Sequence, residues 1–268
     1  MWNLVICPER RAKQGMVMTA LRSGMKGRGN LVMGDTATDQ PFMISGQLWA
    51  AERMCPEAMR LRTPFWVIDN GYYMQSGKGR HLTGHWELTY RGLVPVVLND
   101  PDYNRMPASE HLKDWETPHG GHVLIADPGP TFGRMIGLNM KAWAEGIEKQ
   151  VRQHTDRPIK RRTKWSATTV EQDLEGASVM VTAASHVAID AIIRGIPAIV
   201  TKESPAAPVC STSLADIENP PRPDRTHWWA SLMCQQFTLK EMNSGLAWKW
   251  QQRIMEQVDA ASVSIHTR

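Results

Sequence analysis

The chain of 268 residues has no long apolar run and only four cysteines. No stretch approaches the roughly 18–20 apolar residues that a membrane-spanning helix needs. The cysteines are scattered, without a Cys-x-x-Cys pair or a histidine at zinc-finger spacing, which favours free buried thiols over a zinc site. A secretory signal is also lacking, because the basic residues near the start follow the apolar run instead of preceding it. These absences predict a cytoplasmic protein without a membrane span.

The composition fits a globular protein with an anionic ligand. Hydrophobic residues make up 42% of the chain and charged residues 22%, which allows a packed core. The net charge of +4 suits a nucleotide donor or a nucleic acid without requiring either. Eleven tryptophans accompany only four tyrosines and four phenylalanines. Tryptophan serves both in cores and in stacking on sugars or bases, so its abundance does not choose between these roles.

The first half of the chain alternates short apolar runs with helical spacing. We predict strands at 4–7, 30–33, 42–45, 65–68, 86–90 and 94–98, with helices at 10–22 and 47–60. Gly24, Gly27 and Gly29 follow the first helix. A dinucleotide fingerprint needs its glycines between a strand and a helix, so these predict a helix end and a turn.

The second half repeats the alternation. We predict strands at 123–126, 159–162, 178–182 and 198–201, with helices at 139–154, 170–175 and 185–194. Residues 99–121 have little periodicity and form the predicted linker. The order predicts an α/β fold with two Rossmann-like domains, residues 1–116 and 117–268, a cleft between them and a C-terminal helical tail. Whether the tryptophan-rich tail packs on the first half or forms an interface stays open.

Ligands of parallel sheets bind beyond the carboxyl ends of the strands, which directs attention to the loops there. Ser185 follows one strand of the second half and could cap the next helix, whose free N–H groups would attract phosphate. A plain capped helix is the alternative. His186 and Asp190 lie four residues apart on that helix and could orient each other, or be structural.

Other loops of the second half complete a predicted donor site. Strand alternation would send Arg162 and Lys164 to the same side, where two cations can clamp a phosphate; a solvated basic edge is the alternative. Glu203 could accept hydrogen bonds from sugar hydroxyls, with Ser204 beside it, although an ordinary turn would look the same. Gly129 belongs to the loop at 127–131, and we predict that it also contributes to the donor site.

The first half offers a general base. Asp69 follows a buried strand, where a carboxylate can take a proton from an acceptor hydroxyl. Asn70 and Gly71 equally suit a turn. His85 is the reserve base, while Glu87 and Glu9 are weaker candidates.

Acceptor contacts and a metal site are further predictions for the first half and the linker. We predict acceptor contacts from Gln47, Asn70 and Tyr72. Asp100 and Asp102 resemble an Asp-x-Asp motif that binds a metal ion and a nucleotide in other proteins, but that motif is short and common. We therefore predict no metal ligands and no cofactor beyond a nucleotide-type donor as co-substrate.

The stretch from Ala177 to Val200, with Ser185, Gly195 and Pro197, resembles the donor half of GT-B glycosyltransferases of the capsular-polysaccharide type. Residues 154–164 fit the same module, and residues 46–47, 68–73 and 229–245 resemble phage-borne members of that group. The resemblance implies a GT-B fold, a donor in the C-terminal half, no bound metal and a base from the N-terminal half. The chain is shorter than typical members and lacks the usual carboxylate motif for a UDP-sugar.

The resemblance suggests several functions. If the chain is phage-encoded, its acceptor could be a hydroxymethylated pyrimidine in phage DNA, modified in the cytoplasm of the host cell. The alternatives are an amino-acid:DNA transferase acting on activated hydroxymethyluracil and a non-catalytic nucleotide- or DNA-binding module. The expected partners are a nucleotide-type donor and a DNA acceptor, and the oligomeric state is unknown.

Overall fold

The chain divides into two compact units in a computed structural model. The structure describes residues 1–8, 11–46, 50–76, 79–107, 112–116 and 121–266. The first unit comprises Met1–Arg105 together with Trp229–Arg268, and the second is Met106–Trp228. Both units are α/β and rich in parallel strands. The cleft expected between two Rossmann-like domains stays a prediction.

The first unit contains a six-stranded sheet in the order β10-β5-β4-β3-β1-β2. The strands β2, β1, β3 and β4 are parallel, whereas β5 and β10 are antiparallel additions at one edge. Its elements are β1 (Trp2–Ile6), α1 (Arg11–Gly24), β2 (Gly29–Met33), β3 (Phe42–Ser45), α2 (Ala50–Leu61), β4 (Phe65–Asn70), β5 (Trp86–Tyr90), β10 (Gln236–Phe237), α8 (Leu239–Ser244) and α9 (Leu246–His266).

Burial explains why the central strands read as continuous apolar runs. All four residues of β3 and the first four of β4 are buried, as expected for strands covered on both faces. One face packs in a core that joins Leu4, Met18, Trp66 and Trp86 to the tail residue Trp248. The predicted strands at 42–45 and 86–90 are confirmed to the residue.

The helical tail belongs to the first unit, which corrects the predicted domain boundary at residue 116. The prediction of domains 1–116 and 117–268 assigned the tail to the second half. In the structure β10 pairs antiparallel with β5, with Phe237 opposite Trp86. The helices α8 and α9 contact α1. The apolar face of the tail is therefore buried in the core of the first unit.

The glycines after α1 form a turn, as predicted. The helix ends at Gly24, Gly27 has a φ of 83°, and β2 begins at Gly29. A Cβ on Gly24 would lie 2.0 Å from the carbonyl oxygen of Met242, so only glycine allows α1 to approach α8 this closely. These glycines serve helix packing and chain reversal.

The predicted strand at 94–98 is not formed. The backbone N–H of Val96 donates to the side chain of Gln235 at 3.1 Å, and the carbonyl of Val96 accepts from the same amide at 2.7 Å. The N–H of Leu98 donates to Ser231 Oγ at 3.1 Å. Buried side chains of the C-terminal tail thus satisfy the backbone groups of this segment, which the apolar pattern had predicted to form hydrogen bonds with a neighbouring strand.

The second unit contains a four-stranded parallel sheet in the order β7-β6-β8-β9. This is the same arrangement, second-first-third-fourth, as the four parallel strands of the first unit. Its elements are β6 (His122–Ala126), α3 (Pro130–Ile136), α4 (Met140–Val151), β7 (Ile159–Arg162), α5 (Val170–Leu174), β8 (Ala177–Val181), α6 (Val187–Ile193), β9 (Ala198–Ile199) and α7 (Thr226–Met233), the last crossing into the first unit.

The helix α3 was not predicted, because Pro130 was assigned to a loop, whereas proline is favoured at the first position of a helix. Within the ranges that the structure describes, no helix combines the length and hydropathy required to cross a membrane.

Candidate functional site

A pair of carboxyl groups lies at the carboxyl end of β4 in the first unit. Asp69 of β4 is directly opposite Glu87 of β5 in the antiparallel ladder. Side chains of directly opposite residues point to the same face of a sheet, with Cβ atoms about 4.5–5.5 Å apart. The predicted base therefore has an acidic neighbour on the adjoining strand.

Burial makes this pair unlike two surface carboxylates. Glu87 is only 2% exposed. Burial raises the pKa of Glu87 well above its ordinary value, and the charge of Asp69 raises it further, against a hydrogen bond from Tyr72. Burial also raises the pKa of Asp69, while the N–H of Asn70 and the positive charge of Lys13 oppose that rise. Glu87 is therefore a carboxyl group whose ionisation is opposed both by burial and by a neighbouring negative charge.

Tyr72 connects the pair to the tail of the chain. Its side chain is buried and hydrogen-bonds to Glu87, and burial raises the pKa of the phenol well above its ordinary value. The backbone N–H groups of Tyr72 and Tyr73 both donate to Oε1 of Gln236, the latter at 3.0 Å. Gln236 is buried in β10. The loop after β4 is thus fixed by a residue more than 160 positions later.

Asn70 belongs to a second polar group around the end of β4. Its Oδ1 accepts from Lys13 Nζ at 3.3 Å and from Ser76 Oγ at 3.0 Å. The same Lys13 Nζ lies 4.8 Å from the centre of the Trp86 ring. Asn70 was predicted to bind the acceptor and to form a turn, but β4 continues through it.

His85, the predicted reserve base, has different neighbours. Burial lowers the pKa of its imidazole, and Glu241 and Arg105 are the charged groups that act on it. Its ring lies 5.4 Å from that of Tyr73, and its buried Nδ1 has no hydrogen-bond partner among the described residues. Gln47 and Glu9, the other candidates of this half, lie outside the described residues.

The second unit has an open cavity of about 570 Å³ near the ends of β8 and β9. Its size is in the range usual for small-molecule sites. Glu203, a predicted donor residue, lines it. Its lining includes Trp143, Ile147, Thr182, Thr201, Lys202 and Glu203. The cavity combines an aromatic and an aliphatic side chain of α4 with hydroxyl and charged groups of the loops.

The predicted phosphate site at Ser185 has a different geometry from the one expected. The helix α6 begins at Val187, with His186 in the N-cap position. Ser185 Oγ accepts from the N–H of Val187 at 3.4 Å, a long contact. Burial lowers the pKa of His186 to about 4, so its imidazole is neutral at pH 7. Phosphate binding here stays a prediction.

Two more predicted donor residues stand apart from the cavity lining. Ser204 is 2% exposed and its Oγ accepts from the N–H of Ala206 at 3.2 Å, which is a local turn contact. Gly129 precedes α3 as its N-cap residue, and a Cβ there would meet no atom within 4 Å.

Arg162 and Lys164 have different partners. Arg162 forms an ion pair with Asp173, whose side chain is 2% exposed, and Lys160 binds the same carboxylate at 3.0 Å. Burial acts to raise the pKa of Asp173, but hydrogen bonds from Thr168, Lys160 and Arg162 bring it below its ordinary value. The strand β7 ends at Arg162, so the alternation expected to align Lys164 does not continue. Lys164 Nζ lies instead 5.5 Å from the Trp165 ring.

The alternative metal site at Asp100 and Asp102 gains no third ligand. Asp102 Oδ1 accepts from the backbone and side chain of Asn104, each at 3.0 Å, and Asp100 lies 3.7 Å from Arg253. Across the described ranges, no three His, Cys, Asp or Glu side chains are grouped so that they could hold a metal ion. Metal independence itself stays a prediction.

Comparisons with known proteins leave the family undetermined. The sequence matches no protein-family model and no curated protein. The structure is similar to that of Thermosulfurimonas dismutans KpsC, titled a beta Kdo 2,4 transferase, with a TM-score of 0.49 and 11% identity over 86% of this chain and 89% of that one. A similarity of this extent does not decide the fold, the donor or the acceptor of this chain.

Proposed function

We propose that the chain is a metal-independent, GT-B-like glycosyltransferase that moves a group from a nucleotide-type donor to an acceptor hydroxyl. The observation that carries the proposal is the pairing of the half-buried Asp69 with the buried Glu87 at the carboxyl end of β4. Two carboxyl groups whose environments separate their pKa values are typical of sites that perform acid–base chemistry.

Asp69 is the general base in this proposal. Its carboxylate takes the proton of the acceptor hydroxyl as that oxygen forms a bond to the transferred carbon. The bond from that carbon to the donor phosphate breaks, and its electron pair leaves with the phosphate oxygen. The raised pKa of Asp69 favours proton uptake, and the N–H of Asn70, which donates to Asp69 Oδ1 at 2.8 Å, orients the carboxylate.

The cavity at β8 and β9 is the proposed donor site. Trp143 offers a ring on which a base can stack, and Glu203 offers oxygens to ribose or sugar hydroxyls. The side chain of Lys202 is 88% exposed and can reach an anionic donor. These side chains support the proposal of a nucleotide-type donor, but they do not identify its base or its sugar.

The acceptor is proposed from the sequence alone. A hydroxymethylated pyrimidine in phage DNA carries a primary hydroxyl of the kind that Asp69 would deprotonate. Amino-acid transfer to an activated base in DNA stays the alternative. Mass spectrometry of nucleosides after incubation with sugar nucleotides, or with amino acids and phosphorylated hydroxymethyluracil DNA, separates the two.

The substitution Asp69→Asn tests the proposal. We expect turnover to fall by about 10²–10⁴-fold, because removing a general base removes its share of the rate. Donor affinity, measured by calorimetry with UDP-, CMP- and GDP-sugars, should stay within about twofold, since the donor cavity belongs to the second unit. The measurement is product formation by mass spectrometry.

Asp39→Asn is the matched control, because Asp39 is an exposed carboxylate of the same unit. It should retain full turnover. Equal turnover in Asp69→Asn and the wild type would show that Asp69 is not the general base. A wild type that binds no nucleotide or sugar nucleotide but binds DNA would favour the non-catalytic binding module.

A further inference from the structure

Among the described residues, Asp69 and Glu87 are two carboxyl groups with Lys13 as the cation that acts on the pair. We propose that Glu87 keeps its proton through neutral pH, so that Asp69 is the single negative charge of the pair and Glu87 acts as its positioning residue. The geometric basis is that the two residues are direct ladder partners and that Glu87 is 2% exposed. Its Oε2 has no hydrogen-bond partner among the described residues.

The neighbours of Glu87 and Asp69 come from β4, the loop after it, β10 and α1. Asp69 of β4 contributes negative charge, and Tyr72 of the following loop contributes a phenol hydroxyl. Gln236 of β10, the ladder partner of Glu87 on its other side, is neutral. The cation near the pair is Lys13 of α1, which acts on Asp69. Within the part of the chain that the structure describes, one cation therefore serves two carboxyl groups, and it stabilises the ionised form of Asp69.

A second negative charge at this place is costly. Like charges that face each other across a ladder repel, and low-dielectric surroundings strengthen that repulsion. The pKa of Glu87 is raised by burial first and by the charge of Asp69 second, in agreement with this geometry. The pair should consequently titrate in two separated steps that belong to both groups.

The role of Glu87 in turnover rests on the proposed function, whereas its protonation does not. Stability measurements therefore test the retained proton without a substrate. An acid whose folded pKa is raised contributes stability that is complete below its unfolded pKa and is lost as the pH rises through the folded pKa. The substitution Glu87→Gln removes that loss, because the amide cannot ionise.

The test is a thermal-unfolding cycle of the wild type, Glu87→Gln, Asp69→Asn and the double variant between about pH 5 and about pH 9. We expect the unfolding temperature of Glu87→Gln, relative to the wild type, to rise by about 2–4 °C or more over this range. In the Asp69→Asn background the rise should be smaller, because the repelling charge is absent. An equal shift at both pH values, or in both backgrounds, would overturn the proposal.

Glu241→Gln is the matched control for the stability series. Glu241 pairs with Arg105 at 3.1 Å. Burial acts to raise the pKa of Glu241, but hydrogen bonds from Thr238 and the charge of Arg105 bring it below its ordinary value. Its contribution to stability is lost on acidification, so this variant should gain nothing at alkaline pH.

Infrared spectroscopy provides a second measurement, and its deciding spectrum is that of the wild type, which does not depend on how well the variants fold. At about pH 8 an ordinary glutamate is ionised, so a band from a protonated carboxyl group in the wild type marks a retained proton. The band should persist in Glu241→Gln and vanish in Glu87→Gln if that variant folds. Absence of the band from the wild type would refute the retained proton.

The pH dependence of turnover tests the positioning role separately. The alkaline loss of wild-type activity should move or disappear in Glu87→Gln, since the second ionisation of the pair no longer occurs. If the alkaline loss of activity is unchanged in Glu87→Gln and the infrared band is present in the wild type, Glu87 retains its proton but does not position Asp69. Absence of any turnover, with the band present, would count against the proposed function instead.

Discussion

At the scale of single residues, the molecule uses its buried carboxylates in two opposite ways. Asp173 is surrounded by cations and donors and is held ionised, with Arg162 and Lys160 as ion-pair partners. Glu87 is equally buried but faces another carboxyl group. The first arrangement stabilises a charge and the second opposes one, so the two residues should respond differently to removal of their charge.

The substitution Asp173→Asn should lower the free energy of unfolding by about 3–5 kcal/mol, because it leaves the partly buried guanidinium of Arg162 without a carboxylate. Urea denaturation at neutral pH measures the change. The folded pKa of Asp173 is depressed, so the wild-type advantage should be present above the unfolded pKa and shrink as the pH falls through the folded one.

Glu171→Gln is the control for this prediction, since Glu171 pairs with Arg194 but is 62% exposed. It should cost no more than about 1 kcal/mol. Equal losses in the two variants would contradict the assignment of Asp173 as a buried structural anion.

Sequence reasoning proposed Asp69 as a base because a carboxylate after a buried apolar run is recognisable in the sequence alone. It ranked Glu87 low because the pairing of Asp69 with Glu87 depends on the register of β4 and β5. It assigned Arg162 to phosphate from strand alternation and missed the ion pair with Asp173, which lies eleven positions later on a separate helix. Roles that depend on a partner from another element require the fold.

At the scale of elements, the close approach of α1 and α8 depends on Gly24. A Cβ at this position would lie 2.0 Å from the carbonyl oxygen of Met242 and 2.9 Å from the backbone of Gly245. Because these are backbone atoms, a substitution must move a helix rather than a side chain. We expect Gly24→Ala to lower the free energy of unfolding by about 1–3 kcal/mol in chemical denaturation.

Gly15 of the same helix supplies the control. A Cβ there would meet nothing within 4 Å. Gly15→Ala should therefore stabilise the protein by up to about 1 kcal/mol through helix propensity. If both variants were neutral, the contact between α1 and α8 would not be as tight as the structure has it.

Element prediction succeeded for strands that form regular ladders and failed where side chains replace the ladder. The strands at 42–45, 86–90 and 159–162 were predicted to the residue. The stretch 94–98 has the same apolar character, but Gln235 and Ser231 take its backbone groups. The strand β10 has only two residues, too few for any periodicity.

At the scale of the whole molecule, the first unit needs the end of the chain. Its core includes Phe237, Met242, Trp248 and Ile254 of the tail together with residues of the first strands. A chain that stops at residue 228 should leave the strands β1 to β5 without hydrogen-exchange protection, while β6 to β9 keep theirs. Mass spectrometry of peptides after exchange measures both, with the complete chain as reference.

Equal protection of β1 to β5 in the shortened and complete chains would show that the tail is an accessory to the first unit. The boundary itself was not predictable from composition, because the tail follows the second sheet in sequence. Its tryptophans indicated a buried surface but not which sheet they cover.

The discontinuity of the first unit has a consequence for synthesis. On the ribosome, residues 106–228 are available in full before β10 emerges to pair with β5. The second sheet can therefore fold while the first sheet still lacks its edge strand and the helices that cover α1. A nascent chain paused in that interval would carry an uncovered apolar helix face, and exposed apolar surface of this kind makes incompletely folded chains prone to aggregate.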